Sequence, residues 1–256
     1  MRWTCLLLTV SFLVGCSGDE AEHAANPDAA QGATTSSEGG SDVVQASATE
    51  ASAASSAETA NPSVPVVTAE QVLEQVDLLI RERQFNQALS VLNQLIAQKP
   101  DVADAYLKRA SIYSEAKLYS RAISDMSAAI ELLPRNARLR NTRGYFYLSQ
   151  NDLDRAMADF DDAIGLDLEY EQPYNNRGLV RIAREDFEGA LLDFDAALAI
   201  DPEYLDALNN RGFALMRLER HEEAIDNFTS VIDKKDDYVN AWNNRGLALA
   251  AIERHD

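Results

Sequence analysis

From residue 69 onward, apolar residues recur every three or four positions in runs separated by short polar breaks. That period puts the apolar side chains on one face of an α-helix, so it predicts a succession of amphipathic helices. The stretch YNNRGLVRIAREDFEGALLDFDAALAIDPEY, residues 174 to 204, displays the unit. Two helical runs flank a turn around Arg184 to Asp186, and Pro202 stands where the second run must stop. Residues 1 to 68 carry no such pattern.

The unit recurs. NNRG is written at residues 175 to 178, 209 to 212 and 243 to 246, a spacing of 34 residues, and the same register continues back through Gly144, Ala110 and Val76. Twelve residues after each of the first five of these positions stands Ala88, Ala122, Ala156, Ala190 or Ala224. Four further on come Leu92, Met126, Phe160, Phe194 and Phe228, then Leu95, Ala129, Ala163, Ala197 and Val231 three beyond. An active site needs one copy of its residues at one place, whereas a fixed period of 20 to 50 residues marks a stacked array. Small residues such as Gly178 and Ala190 let two helices approach, while Phe187, Phe194 and Ala197 fill the space between one pair and the next. One pair cannot cover its own apolar faces, so each needs a neighbour and no single uninterrupted core is expected.

This pattern resembles the tetratricopeptide repeat family from Ala69 to the end of the sequence. The resemblance implies an all-α fold, a right-handed solenoid of antiparallel helix pairs. Five full repeats would span residues 69–102, 103–136, 137–170, 171–204 and 205–238, with a partial sixth at 239–256. The leucine usual before the glycine is replaced by Arg143, Arg177, Arg211 and Arg245. A guanidinium inside a stack needs fixed partners, so these arginines are expected to pair with second-helix carboxylates such as Asp159 and Asp193. The sixth unit holds Trp242 and Gly246 but no second helix. Its helix either caps the stack or meets a continuation or another subunit.

The first 68 residues differ in kind. Residues 1 to 16, MRWTCLLLTVSFLVGC, begin with Arg2 and carry a short apolar core, the form of an export signal too brief for a permanent span. LVGC resembles the lipobox of bacterial lipoproteins, which implies cleavage after Leu13, Val14 and Gly15 and a lipid on Cys16. With Cys5 removed, the mature chain would keep no free thiol and no disulfide. Ser17, where an aspartate is absent, implies an outer-membrane anchor facing the periplasm. Residues 17 to 68 contain no aromatic residue, Lys or Arg and are rich in Ala, Ser and Thr. Such a composition predicts a disordered tether, reaching roughly 40 Å as a flexible coil.

Charge and chemistry narrow the function further. The formal charge is -19, and 34 acids face 22 bases from residue 69 onward, so nucleic acid is a disfavoured partner. Arg135, Arg138, Arg140 and Arg143 form one local basic cluster. Arg138 is its candidate anion contact, and pairing of the cluster with the acids of 152 to 171 is the alternative. His221 and His255 occupy equivalent turn positions, and His23 lies in the tether, too few ligands for a metal site. DLDRAMADFDDA from Asp152 has the carboxylates of a calcium loop but not its glycine or closing glutamate. No phosphate loop or nucleophile elbow is present. The reading is therefore of a non-enzymatic protein with no cofactor and no metal.

In the family the first helix of each repeat lines a concave groove. Carried over position by position, the resemblance places Asn141, Asn175, Asn209 and Asn243 there, with Tyr145, Leu179, Phe213 and Leu247 one turn on. A row of amides can hold an extended peptide backbone by donating and accepting, or can bond neighbouring repeats instead. The lysines of the carboxylate-clamping members are missing, so that specificity is not implied. The expected function is a membrane-anchored adaptor for protein or peptide partners in the bacterial envelope. The alternatives are a targeting part of a larger enzyme and an assembly subunit whose half repeat completes another copy.

Overall fold

The structure, a computed structural model, describes residues 68 to 252. The proposed signal, Cys16 and the tether up to residue 67 lie outside the described residues, as does His255. Eleven helices follow one another among those described: α1 (Ala69–Arg81), α2 (Phe85–Gln98), α3 (Ala103–Glu115), α4 (Tyr119–Leu132), α5 (Ala137–Ser149), α6 (Leu153–Leu166), α7 (Glu171–Ala183), α8 (Phe187–Ile200), α9 (Leu205–Arg217), α10 (His221–Lys234) and α11 (Val239–Ile252). Odd-numbered helices are the first of each repeat and even-numbered ones the second.

Each first helix but α11 packs against its own second helix, and each but α1 against the second helix before it. Among the first helices α5 also touches α7, α7 touches α9 and α9 touches α11, while no two successive second helices are in comparable contact. The stack is therefore drawn in on the side of the first helices, which line its inner face. The apolar side chains form several clusters strung along the stack, the largest running from Leu179 to Ala248, as expected of repeats that contact only their neighbours.

The turn inside each pair is one motif written five times. Arg83, Lys117, Asn151, Glu185 and Glu219 all have φ between 56° and 61°, the left-handed region. In the fourth repeat the Asp186 N–H donates to the Arg181 carbonyl at 2.9 Å and the Glu185 N–H to that of Ile182 at 3.0 Å. The fifth repeats this with Arg220 to Leu215 and Glu219 to Met216. This double bond closes the carbonyl end of the first helix and reverses the chain. Asp152 and Asp186 then cap the second helix by accepting from the N–H groups of Arg155 and Gly189. Thr68 and Gln71 form a reciprocal cap at the start of α1.

Inside each pair the size of one residue is set against that of another. Val76, Ala110, Gly144, Gly178 and Gly212 lie in the first helices, and Leu92, Met126, Phe160, Phe194 and Phe228 lie sixteen residues on in the second. As the first shrinks from valine to glycine, the second grows from leucine to phenylalanine. The glycines are obligatory: a Cβ at Gly144, Gly178 or Gly212 would sit 2.7, 2.5 or 2.6 Å from the Cε1 of its phenylalanine. These rings are fully buried and cannot turn aside. Burying each contributes about 1.5–3 kcal/mol. Gly246 is different, since a Cβ there meets nothing within 4 Å.

The two environments predict opposite signs. Gly178→Ala should lower stability by about 1–3 kcal/mol through overpacking, whereas Gly246→Ala should raise it by up to about 1 kcal/mol through helix propensity. Urea unfolding of the two variants checks this; equal effects would contradict the packing described.

Candidate functional site

The arginine directly before Ala110, Gly144, Gly178 and Gly212 points into the seam between two second helices. Arg143 donates from Nε and Nη2 to both oxygens of Asp159 at 2.8 and 2.7 Å and from Nη1 to Ser127 Oγ at 3.0 Å. Arg109 grips Asp125 in the same way at 2.9 and 2.6 Å and reaches Asn93 at 2.7 Å. Arg177 bonds Asp193, at 2.6 Å from Nη2, and Asp161 at 2.7 Å. Arg211 bonds Asp195 at 2.6 Å and Asn227 at 3.3 Å. Each guanidinium thus clamps a residue sixteen positions ahead in its own repeat and another sixteen behind in the previous one. Pairing of the arginines with Asp159 and Asp193 is as the sequence predicts. The backward partners Asn93, Ser127, Asp161 and Asp195 were not anticipated; their 34-residue period in the second helices is the signal that marks them.

The clamp is made of charges taken largely out of water. Asp125, Asp159 and Asp193 are buried, which is tolerable because their oxygens accept bidentate bonds. Hydrogen bonds from the guanidinium groups to Asp125 and Asp159 raise Arg109 and Arg143 above the usual arginine range. Burial opposes the charge on Arg177, but its bonds to Asp193 and Asp161 outweigh that and hold it higher still. Burial also pushes the Asp193 carboxyl up, with Arg177 and Arg181 pulling against it.

A second polar line runs through the first helices. Asn176 Nδ2 donates to Asn141 Oδ1 at 3.0 Å, Asn210 to Asn175 at 3.0 Å and Asn244 to Asn209 at 3.2 Å. Within a repeat Asn175 and Asn209 donate to Asn176 and Asn210 at 3.4 Å, and Asn141 donates to the Tyr170 hydroxyl at 3.2 Å. The first asparagines Asn141, Asn175 and Asn209 are 4%, 3% and 0% exposed. Their amides lie inside the interface between successive first helices, in the bonding role that was the alternative to peptide contact. Asn243 is exposed. The sequence reading missed the second asparagine of each motif, which is equally buried and supplies the donor across the repeat boundary.

The remaining groove residues are graded along the inner face. Tyr145 and Phe213 are half-buried, Leu179 is buried and Leu247 is exposed. Tyr145 and Phe213 pack against separate apolar clusters, so their rings are held in place with part of each surface open. The guanidinium of Arg138 lies 5.6 Å over the Tyr170 ring. Arg140 faces Asp162 at 3.4 Å, and Arg143 is clamped as above, so two of the four arginines of the basic cluster pair with the acids of 152 to 171. The acidic run itself is engaged throughout: Asp152 with Arg155, Asp154 with Arg184, Asp159 with Arg143, Asp161 with Arg177. Among the described residues no group of three His, Cys, Asp or Glu side chains is placed to hold a metal ion. No helix among them is long and apolar enough to cross a membrane.

The sequence model of the tetratricopeptide repeat matches residues 73 to 134, 115 to 168, 175 to 239 and 214 to 256. No curated protein is similar enough in sequence to match. Several solved structures share the fold. YrrB, described as a TPR protein with an unusual peptide-binding site, is 20% identical with a TM-score of 0.58, over 70% of this chain and 92% of its own. PilW, described as a widely conserved type IV pilus biogenesis factor, is 20% identical with a TM-score of 0.59, over 72% of this chain and 90% of its own. MamA from Desulfovibrio magneticus is 17% identical with a TM-score of 0.60, over 66% of this chain and 96% of its own. At these identities the likeness is one of fold.

Removing one partner of a buried clamp strands the other. Arg177→Met leaves Asp193 with Arg181 alone and should cost about 3 kcal/mol, read from urea unfolding. Adding Asp193→Leu should restore part of the loss. A single variant as stable as the parent would show that the clamp contributes nothing.

Proposed function

The chain belongs to the tetratricopeptide repeat family, and on that premise we propose that it is a non-catalytic adaptor. In this reading it is held at a bacterial envelope membrane by a lipid on Cys16, through the tether of residues 17 to 68. Its stack then recruits protein or peptide segments on the inner face. The observation that carries the reading is the inner face itself. The first helices present Tyr145 and Phe213 as fixed, half-open aromatic rings while the buried polar side chains between them are satisfied by one another. Apolar rings held in fixed places on the first helices are what a bound segment needs for its own side chains to dock.

The engagement of the repeated polar side chains favours binding over catalysis. The arginines, aspartates and asparagines that repeat along the chain are engaged in holding the repeats together, and Arg140 and Arg143 of the basic cluster are paired with acids. The export-like first 16 residues, LVGC and the Ala- and Ser-rich tether support the envelope location. YrrB's peptide-binding site supports a peptide as ligand class, and PilW's part in pilus biogenesis supports an envelope setting.

Two experiments test the reading. A photoreactive phenylalanine in place of Phe213 should capture a discrete partner in cells, while the same group at the exposed Asp226 of α10 should not; equal capture from both would contradict an inner-face site. Cys16→Ser should move the protein from the membrane fraction to the soluble one and abolish incorporation of labelled fatty acid. Unchanged fractionation would remove the anchor.

A further inference from the structure

In the middle of the stack the inner face carries one apolar strip at a fixed interval. Tyr145, Leu179 and Phe213 hold the same position in α5, α7 and α9, and Leu148, Ile182 and Met216 follow three residues on, on the same helix face. The strip is flanked on both sides, since α4 packs against α5 and α11 against α9. Leu179 and Ile182 are each 6% exposed and form an aliphatic floor, while Tyr145 and Phe213 stay half-open at either end. First helices in direct contact, as α5 with α7 and α7 with α9, stand about 8–10 Å apart. That distance separates each apolar position from the next. One turn earlier on the same helices, the amides of Asn141, Asn175 and Asn209 are buried and bonded across the repeats.

Interval and polarity together select the conformation of a bound segment. In a β-strand the third residue would reach the next position, at about 10 Å, but alternation turns it away from the face. The strand's N–H groups would also lie against apolar side chains and amides already bonded to one another, which costs desolvation without a return. An α-helix satisfies its own backbone, yet it brings a turn to the face about every 5.4 Å, so every second turn falls between first helices. A polyproline II helix repeats every three residues and rises about 9 Å per turn, which matches the strip, and its prolines have no N–H to leave unpaired. Grooves lined by aromatic rings are where such segments dock. Resting on the inner-face site of the preceding section, we propose that the strip from Tyr145 through Leu179 to Phe213 binds a proline-rich segment of a partner protein in the polyproline II conformation. A proline or aliphatic side chain at every third position sits at each of the three residues in turn.

The test uses the full chain and a fluorescein-labelled peptide of four Pro-Pro-Leu units, read by fluorescence anisotropy. The signal should rise saturably, and a peptide of the same composition with its leucines gathered in one block should bind at least about tenfold more weakly. Phe213→Ala in the protein should weaken binding by a similar factor, as loss of an aromatic anchor does. Phe213→Leu, which keeps an apolar side chain against the cluster that Phe213 packs on, should weaken it in the same direction; a thermal melt shows that each variant is folded at the assay temperature. Equal binding of the regular and the blocked peptide would overturn the three-residue interval. Binding of an amphipathic helical peptide through Phe213, with none of the proline peptide, would overturn the proposal and keep the inner-face site. Saturable binding that neither Phe213 variant alters would overturn both.

Discussion

The contact on which the rest depends is the close approach of the two helices in each repeat, where in the third, fourth and fifth a glycine in the first helix meets a phenylalanine ring in the second. With no Cβ in the way, the ring lies against the backbone of the first helix and fixes how far apart the two axes stand. The arginine one position earlier is then turned by about 100° around the helix and aimed into the seam between two successive second helices. There it finds acceptors sixteen residues to either side. The asparagines before it fall on the opposite seam, between successive first helices. The four letters NNRG thus encode three contacts in three directions, and their recurrence makes an extended stack from units that cannot stand alone.

Polarity in the interior follows from the same geometry. Buried amides and carboxylates are costly when unpaired, so they are tolerated here as pairs and lines that satisfy each other across repeat boundaries. A hydrophobic seam could slide; bidentate arginines and amides in fixed order specify which repeat sits on which and at what rotation. In the proposed adaptor, that leaves the surface for a partner to aromatic and aliphatic side chains, above all Tyr145 and Phe213.

Most of the fold was legible because period and size are written directly in the chain. The helical runs, the turn at Arg184 to Asp186, the glycine positions and the pairing of Arg177 with Asp193 all follow from spacing and elementary sterics. The compensation of Val76 with Leu92, Ala110 with Met126 and Gly144 with Phe160 was also present as letters, but only the three-dimensional contact joins residues sixteen apart into pairs. The inner-face asparagines were harder. An amide bonds a ligand or a neighbour with the same groups, and nothing in the letters separates the two; burial does, and it puts Asn141, Asn175 and Asn209 inside the stack while leaving Asn243 exposed. The basic cluster was ambiguous for a similar reason, since Arg140 and Arg143 find their acids one repeat element away rather than nearby in sequence.

The central claim, that the repeated asparagines hold the stack together, is tested most directly by a double-mutant cycle on Asn175 and Asn210, whose amides bond across a repeat boundary at 3.0 Å. Unfolding free energies of the two alanine variants and their combination should show a coupling of about 1 kcal/mol. Energies that simply add would mean that the two amides act independently, and would contradict an amide line that binds one repeat to the next.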